Sequence, residues 1–152
     1  MKFTRSIEIN LPVEKVVALF DSPDSAYKWQ PGFERAELIS GAPRQKDCKS
    51  RLTYKLGKRK LVLIETIIWK DLPHEIKGLY EHEHMINTMG NYFYKTGENR
   101  TKYETEIVYT KFIGLVPKMM ARLMPGLFKK QVEKWLIEFK QFAESAGRDQ
   151  PT

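Results

Sequence analysis

Phe128, Val132, Trp135, Leu136, Phe139, Phe142 and Ala143 recur at steps of three and four, which makes the end of the chain an amphipathic helix with one apolar stripe. A lone helix of about seven turns cannot bury that stripe against itself, so another element must cover it. Most of what precedes it reads as strand. Alternating or β-rich segments fall at about 34–40, 48–56, 60–70, 74–83, 88–96 and 101–112. They are separated by the turn chemistry of Gly41-Ala42-Pro43, Gly57-Lys58, Asp71-Leu72-Pro73 and Gly97-Glu98-Asn99. Short connections between successive strands imply an antiparallel meander, and the helix must then lie across one face of it. Residues 2–10 alternate and supply one more strand. Pro12 opens a short helix over 13–20, and Ser22-Pro23-Asp24-Ser25 caps a second that runs through Trp29 and stops at Pro31-Gly32. Pro125-Gly126 should break the chain just before the stripe. The expectation is an α+β domain over residues 1–146: a curved seven-stranded antiparallel sheet wrapped around a long C-terminal helix, with two short helices between strands 1 and 2. Residues 147–152 read as a disordered tail.

The hairpin at Gly57-Lys58 pairs Tyr54 with Leu61 and so fixes which side chains share a face. Leu52, Tyr54 and Leu56 fall together with Leu61, Leu63, Glu65, Ile67 and Trp69. The same parity adds Ile76, Gly78, Tyr80 and His82. Pairing Tyr94 near Tyr103 adds Tyr92, Tyr94, Tyr103, Thr105, Ile107 and Tyr109. Six tyrosines thus land on the face the helix covers. They are good β-formers for packing under a helix, but each buried hydroxyl wants a partner, and a ligand or water supplies one more readily than a dry core.

Charge is concentrated rather than spread. Residues 44–60 hold Arg44, Lys46, Lys49, Arg51, Lys55, Lys58, Arg59 and Lys60 against the single acid Asp47, so this window carries as much as the +7 of the whole chain. Only Tyr54 is interleaved and no nucleic-acid motif is present, so nucleic acid is not an expected partner. An anionic membrane or ligand drawn to Lys58, Arg59 and Lys60 is one reading; a strand edge blunted against aggregation is the other. One cysteine, Cys48, allows no internal disulfide, and it reads as a small buried filler. With no signal-like start and no apolar run of the ~18 residues a span needs, the expected location is cytoplasmic.

Several features in order resemble the polyketide cyclase/dehydrase and lipid-transport superfamily, the helix-grip proteins that include START domains and the birch-pollen-allergen group (SRPBCC). These are the first strand followed by Pro12 and two short helices, Trp29-Gln30-Pro31-Gly32, Ile39-Ser40-Gly41, Glu65-Thr66-Ile67-Ile68 before Asp71-Leu72-Pro73, Leu123-Met124-Pro125-Gly126, and Phe139-Lys140-Gln141-Phe142-Ala143-Glu144. The resemblance runs over about residues 2–144. One departure is the segment Arg44-Gln45-Lys46-Asp47-Cys48, which lacks a glycine that many relatives carry. The resemblance implies binding or transport of a hydrophobic small molecule or lipid in an internal cavity; separately, no cofactor is expected. It also leaves open a cyclase- or dehydratase-like enzyme and a protein-interaction module, since fold alone does not fix chemistry.

The expected ligand-lining side chains are Tyr54, Leu63, Glu65, Ile67, Tyr80, His82, Tyr92, Tyr94, Tyr103 and Thr105 from the sheet. Phe128 and Trp135 join them from the helix. The resemblance places Met120 and Met124 near the cavity mouth, where flexible thioethers suit an adaptable lid and equally suit core filling. If there is catalysis, Glu65 and His82 are the candidates: a carboxyl in an apolar pocket has the raised pKa an acid or base needs. The alternative for Glu65 is exposure or an ion pair with Arg5. His82 and His84 could share a metal only with a third ligand, and a polar strand end explains them as well. No Ser-His-Asp order, phosphate loop or zinc-type cysteine spacing is present.

Overall fold

The computed structural model describes residues 1–148. Its elements follow the expected order: β1 Lys2–Ile9, α1 Val13–Asp21, α2 Ser25–Trp29, β2 Phe33–Ser40, β3 Lys49–Leu56, β4 Arg59–Asp71, β5 Glu75–Glu81, β6 Met85–Gly97, β7 Arg100–Phe112, α3 Leu115–Leu123 and α4 Pro125–Arg148. The seven strands form one antiparallel sheet in the order β1-β7-β6-β5-β4-β3-β2. The chain therefore turns back on itself at every step except β1, which closes against β7. The break expected at Pro125-Gly126 falls one residue earlier, at Met124, and separates a short α3 from α4.

Helix α4 lies along β1 and against α1 and α2, with Val132, Leu136, Phe139 and Ala143 buried. The stripe has the predicted spacing, yet Trp135 is only partly buried and Phe139 is the fully buried ring. Around Phe139 the core gathers Ile9, Leu11, Val16, Val17, Ile67, Ile76, Phe93 and Tyr103. A smaller cluster of Phe3, Ile107 and Val132 continues it toward the start of α4. Gly147 and Arg148 belong to the helix, where a tail was expected from 147. A glycine usually marks a helix end, but here a Cβ would meet Leu11 Cδ2 at 2.5 Å, so Gly147 is what lets α4 pass over Leu11. The rest of the expected tail, residues 149–152, lies outside the described residues.

Two irregularities change which side chains face the core. A bulge in β4 lies between the pairs Ile67↔Gly78 and Trp69↔Lys77, and it turns Trp69 outward, where its indole Nε1 donates to Glu75 Oε1 at 2.8 Å. Lys70 consequently points inward. In the β6–β7 hairpin the register shifts between Lys95 and Gly97, and Phe93, not Tyr94, pairs with Tyr103. A one-residue slip moves a whole strand to the other face. Phe93 stacks on Tyr103 with ring centroids 5.1 Å apart, whereas Tyr92 and Tyr94 face outward; Tyr94 is exposed beneath the Lys102 ammonium. The expectation that all six tyrosines share the covered face thus holds for Tyr54, Tyr80, Tyr103 and Tyr109 only.

Tyr103 shows how a buried hydroxyl is satisfied without a ligand. It donates to Asn91 Oδ1 at 2.6 Å, and both residues are buried. Tyr103→Phe leaves the Asn91 oxygen without this donor, and a loss of ~1–3 kcal/mol is expected in denaturant unfolding. An unchanged midpoint would show that the bond contributes nothing net.

Candidate functional site

The sheet curves, but α4 does not follow it to the far edge. Its principal sheet contact is β1, and although Phe139 reaches Ile67 and Ile76, the inner face of β3–β5 stays partly accessible toward the end that holds the β3–β4 and β5–β6 turns. Tyr54, Leu61, Leu63, Glu65 and Tyr80 on that face are all partly accessible, although the strands that carry them are paired on both sides. The register makes them neighbours: Tyr54↔Leu61, Leu52↔Leu63, Ser50↔Glu65 and Glu65↔Tyr80. Tyr80 lies back over Gly78, where an added Cβ would sit 2.8 Å from the phenol ring. The absence of a side chain at 78 therefore fixes how the ring lies. Two open surface grooves lie elsewhere, one of about 500 Å³ between Lys28 and Trp29 of α2 and Phe142 and Ser145 of α4, the other of about 320 Å³ along α1. Neither coincides with the space between sheet and helix where a cavity was expected.

Glu65 is the carboxylate of this face, and its ion pair is with Arg44 rather than Arg5. Arg44 Nη1 stands 3.9 Å from Glu65 Oε1, and its Nε and Nη2 donate to Asp21 Oδ1 at 3.2 and 3.0 Å. Arg5 is engaged instead with Glu133 of α4 at 2.7 Å. Lys70, brought inward by the β4 bulge, donates to both Asp21 oxygens and to the Arg44 carbonyl. Asp21 at the end of α1, Arg44, Lys70 and Glu65 thus form one alternating charge network along the inner face. Arg44 and Asp47 adopt left-handed backbone angles, φ 63° and 70°, in the very segment that lacks a glycine. Asp tolerates this region better than most residues, and at Arg44 the strain is coupled to an arginine bound to two carboxylates.

The tyrosine hydroxyls of the site are held protonated. Burial, then the neighbouring Glu65 carboxylate, pushes Tyr80 and Tyr54 well above the ordinary tyrosine range. Tyr54 donates to Gln30 Oε1 at 2.6 Å, which ties β3 to the loop after α2. Tyr109, toward the other helix end, is pushed up to about 12 by burial. A protonated phenol beside a carboxylate can orient a carbonyl or hydroxyl of a bound molecule, and it is a poor base.

The remaining expected lining residues separate into groups. Ile67, Tyr103 and Thr105 face inward but are sealed in the core. Phe128 and Trp135 are partly buried on α4, with Phe128 against Tyr109 and Phe112. Met120 and Met124 are exposed on and after α3, and Tyr92 and Tyr94 lie on the opposite face. His82 sits in the β5–β6 turn, where its Nδ1 accepts from the His84 amide; burial, then His84, lowers its pKa against the opposing pull of Glu83. Among the described residues no three His, Cys, Asp or Glu side chains gather as a metal site.

Asp21, Lys70 and Gln30 were not legible as site residues. Arg44 reads in the sequence only as the first member of the basic run 44–60. That run is also less charged in space than in sequence, because β2 lies beside β3: Glu37 approaches Arg51 at 3.8 Å and Glu34 approaches Lys60 at 3.9 Å.

The family described as polyketide cyclase / dehydrase and lipid transport matches residues 1–136. No curated protein sequence matches the chain. Among solved structures, the Zhui aromatase/cyclase from Streptomyces sp. R1128 superposes with a TM-score of 0.80 at 11% identity, covering 98% of this chain and 96% of that one. A Thermus thermophilus protein gives 0.76 at 18% identity, covering 96% and 99%. A START superfamily protein from Mycobacterium smegmatis gives 0.69 at 11% identity, covering 93% and 98%. At these identities the structural matches establish the helix-grip fold alone.

Proposed function

The chain belongs to the polyketide cyclase / dehydrase and lipid transport family, and from that premise we propose that it binds a hydrophobic small molecule or lipid on the inner face of β3–β5. The observation that carries this reading is the partial exposure of Tyr54, Leu61, Leu63 and Tyr80 on the sheet face against which α4 packs. An apolar face inside a curved sheet, with a few polar groups set into it, is the usual composition of a small-molecule site. Glu65 with Arg44, and the Tyr80 hydroxyl, give a ligand one polar anchor amid aliphatic and aromatic walls.

Native mass spectrometry of the purified protein and fluorescence titration with anilinonaphthalene sulfonate test the proposal. Leu63→Lys places an ammonium on the apolar wall. It is expected to weaken dye binding at least tenfold, about 1.4 kcal/mol, with the melting transition preserved. Equal affinity in wild type and variant would remove the inner face as the site.

A second reading, acid-base catalysis, is favoured by one observation: Glu65 faces a protonated Tyr80 across the β4–β5 pair. In that case Glu65→Gln abolishes turnover and leaves ligand affinity within about tenfold, since the amide keeps the shape and loses the proton transfer. Full turnover by the variant would end this reading.

A further inference from the structure

Helix α3 has no buried residue, although it is strongly apolar. Leu115 is 78% and Leu123 69% exposed, and Val116, Met119, Met120 and Met124 are exposed with them. Contiguous apolar side chains left in water mark a surface that meets something. The composition around them narrows what that is. Residues 107–132 contain no acid, while Lys111, Lys118, Arg122, Lys129 and Lys130 supply five cations. Among the described residues none of the five is ion-paired. From Lys111 to Lys130 no neutral side chain bears a hydrogen-bonding group.

A specific protein interface draws on aromatic anchors and a rim of varied hydrogen bonds. A second copy docked symmetrically would set the same five cations against each other. A surface made only of aliphatic, thioether and cationic groups matches instead a partner that is apolar below and anionic above, without fixed stereochemistry. Among the described residues no helix is long and apolar enough to cross a membrane, so the contact is peripheral.

We infer that α3, with the first turn of α4, is a docking face for the surface of an anionic lipid bilayer. The antiparallel register places the β3–β4 turn, the β5–β6 turn and the start of α3 at one end of the sheet, and the Ile113 amide donates to the His84 carbonyl at 2.8 Å. Lys58, Arg59 and Lys60 of the β3–β4 turn therefore stand at the same end and add cations to it. The inference concerns contact with the bilayer and does not rest on what the inner face binds.

The experiment is flotation of the protein with vesicles of phosphatidylcholine alone and of phosphatidylcholine mixed with phosphatidylglycerol, at low and high salt. It compares wild type, Leu115→Asp/Leu123→Asp, and Lys58→Glu/Arg59→Glu/Lys60→Glu. Both substituted sites are exposed, and a thermal melt confirms that each variant folds. Wild type is expected to partition at least tenfold more strongly onto the anionic vesicles, with the difference shrinking at high salt because exposed charges are screened within ~8–10 Å at physiological ionic strength. The α3 variant loses at least tenfold of that binding, and the hairpin variant loses less. Wild-type partition by the α3 variant overturns the inference, as does a wild-type protein that ignores anionic vesicles. Sedimentation velocity reads the other occupants. A wild-type dimer that the α3 variant converts to monomer assigns the face to a second copy, and a monomer that ignores vesicles assigns it to a protein partner; either result ends the lipid proposal.

Discussion

Phe139→Ala is expected to cost ~3–5 kcal/mol, the range for deleting a fully buried aromatic side chain. Phe139 is 0% exposed and meets Trp29, Tyr103, Phe20 and Phe142 at ring-centroid distances of 5.2, 5.5, 5.6 and 6.3 Å. It therefore joins α4 to both short helices and to the sheet at once. The space left by truncation is walled by rigid rings and strand backbone, which relax little. In a urea melt the midpoint should fall with the slope retained, because the same surface is exposed on unfolding. Trp135 stands on the same helical stripe but is only partly buried. For that reason Trp135→Ala is expected to cost ~1–2 kcal/mol. A larger loss at Trp135 than at Phe139 would mean that the helix is rotated on the sheet.

Asp21→Ala is the second large effect. Asp21 alone bridges the Arg44 guanidinium and the Lys70 ammonium, and the Lys70 side chain is only 14% exposed. Removing the shared anion leaves two partly buried cations facing each other. Breaking a fully buried pair costs about 3–5 kcal/mol; water reaches part of this one, so ~2–3 kcal/mol is expected. Arg44 would turn further toward Glu65, and ligand affinity on the inner face should change along with stability. The informative comparison is a double-mutant cycle. Lys70→Met removes one of the stranded cations, so Asp21→Ala/Lys70→Met should lose clearly less than the sum of the single variants. Strict additivity would show that Asp21 and Lys70 are not coupled and that the network is a surface arrangement.

Leu52, Leu63, Glu65 and Tyr80 were placed on the inner face correctly because the Gly57-Lys58 hairpin fixes its own register and parity then propagates along unbroken strands. Where parity failed, a bulge had intervened. Nothing in Ile67-Ile68-Trp69 marks an extra residue in the ladder, yet it sends Trp69 out and Lys70 in. Nothing in Lys95-Thr96-Gly97 says that Phe93 rather than Tyr94 faces Tyr103. A bulge is chosen by what each alternative would bury, and that comparison involves strands not adjacent in sequence.

The sequence by itself determined the element order, the antiparallel meander, the single long helix and the break before it, because helical and strand periodicities, proline and turn residues act over a few neighbours. It offered an acid, Glu65, among tyrosines on the inner face as one reading beside exposure or an ion pair with Arg5. Only the tertiary structure decided which ring anchors the helix, which tyrosines face inward, and where Arg44 points. It decided too that Glu34 and Glu37 offset part of the basic run, and that α3 is left with nothing covering it. Each of these depends on distances between residues far apart in the chain, and local pattern contains no measure of them.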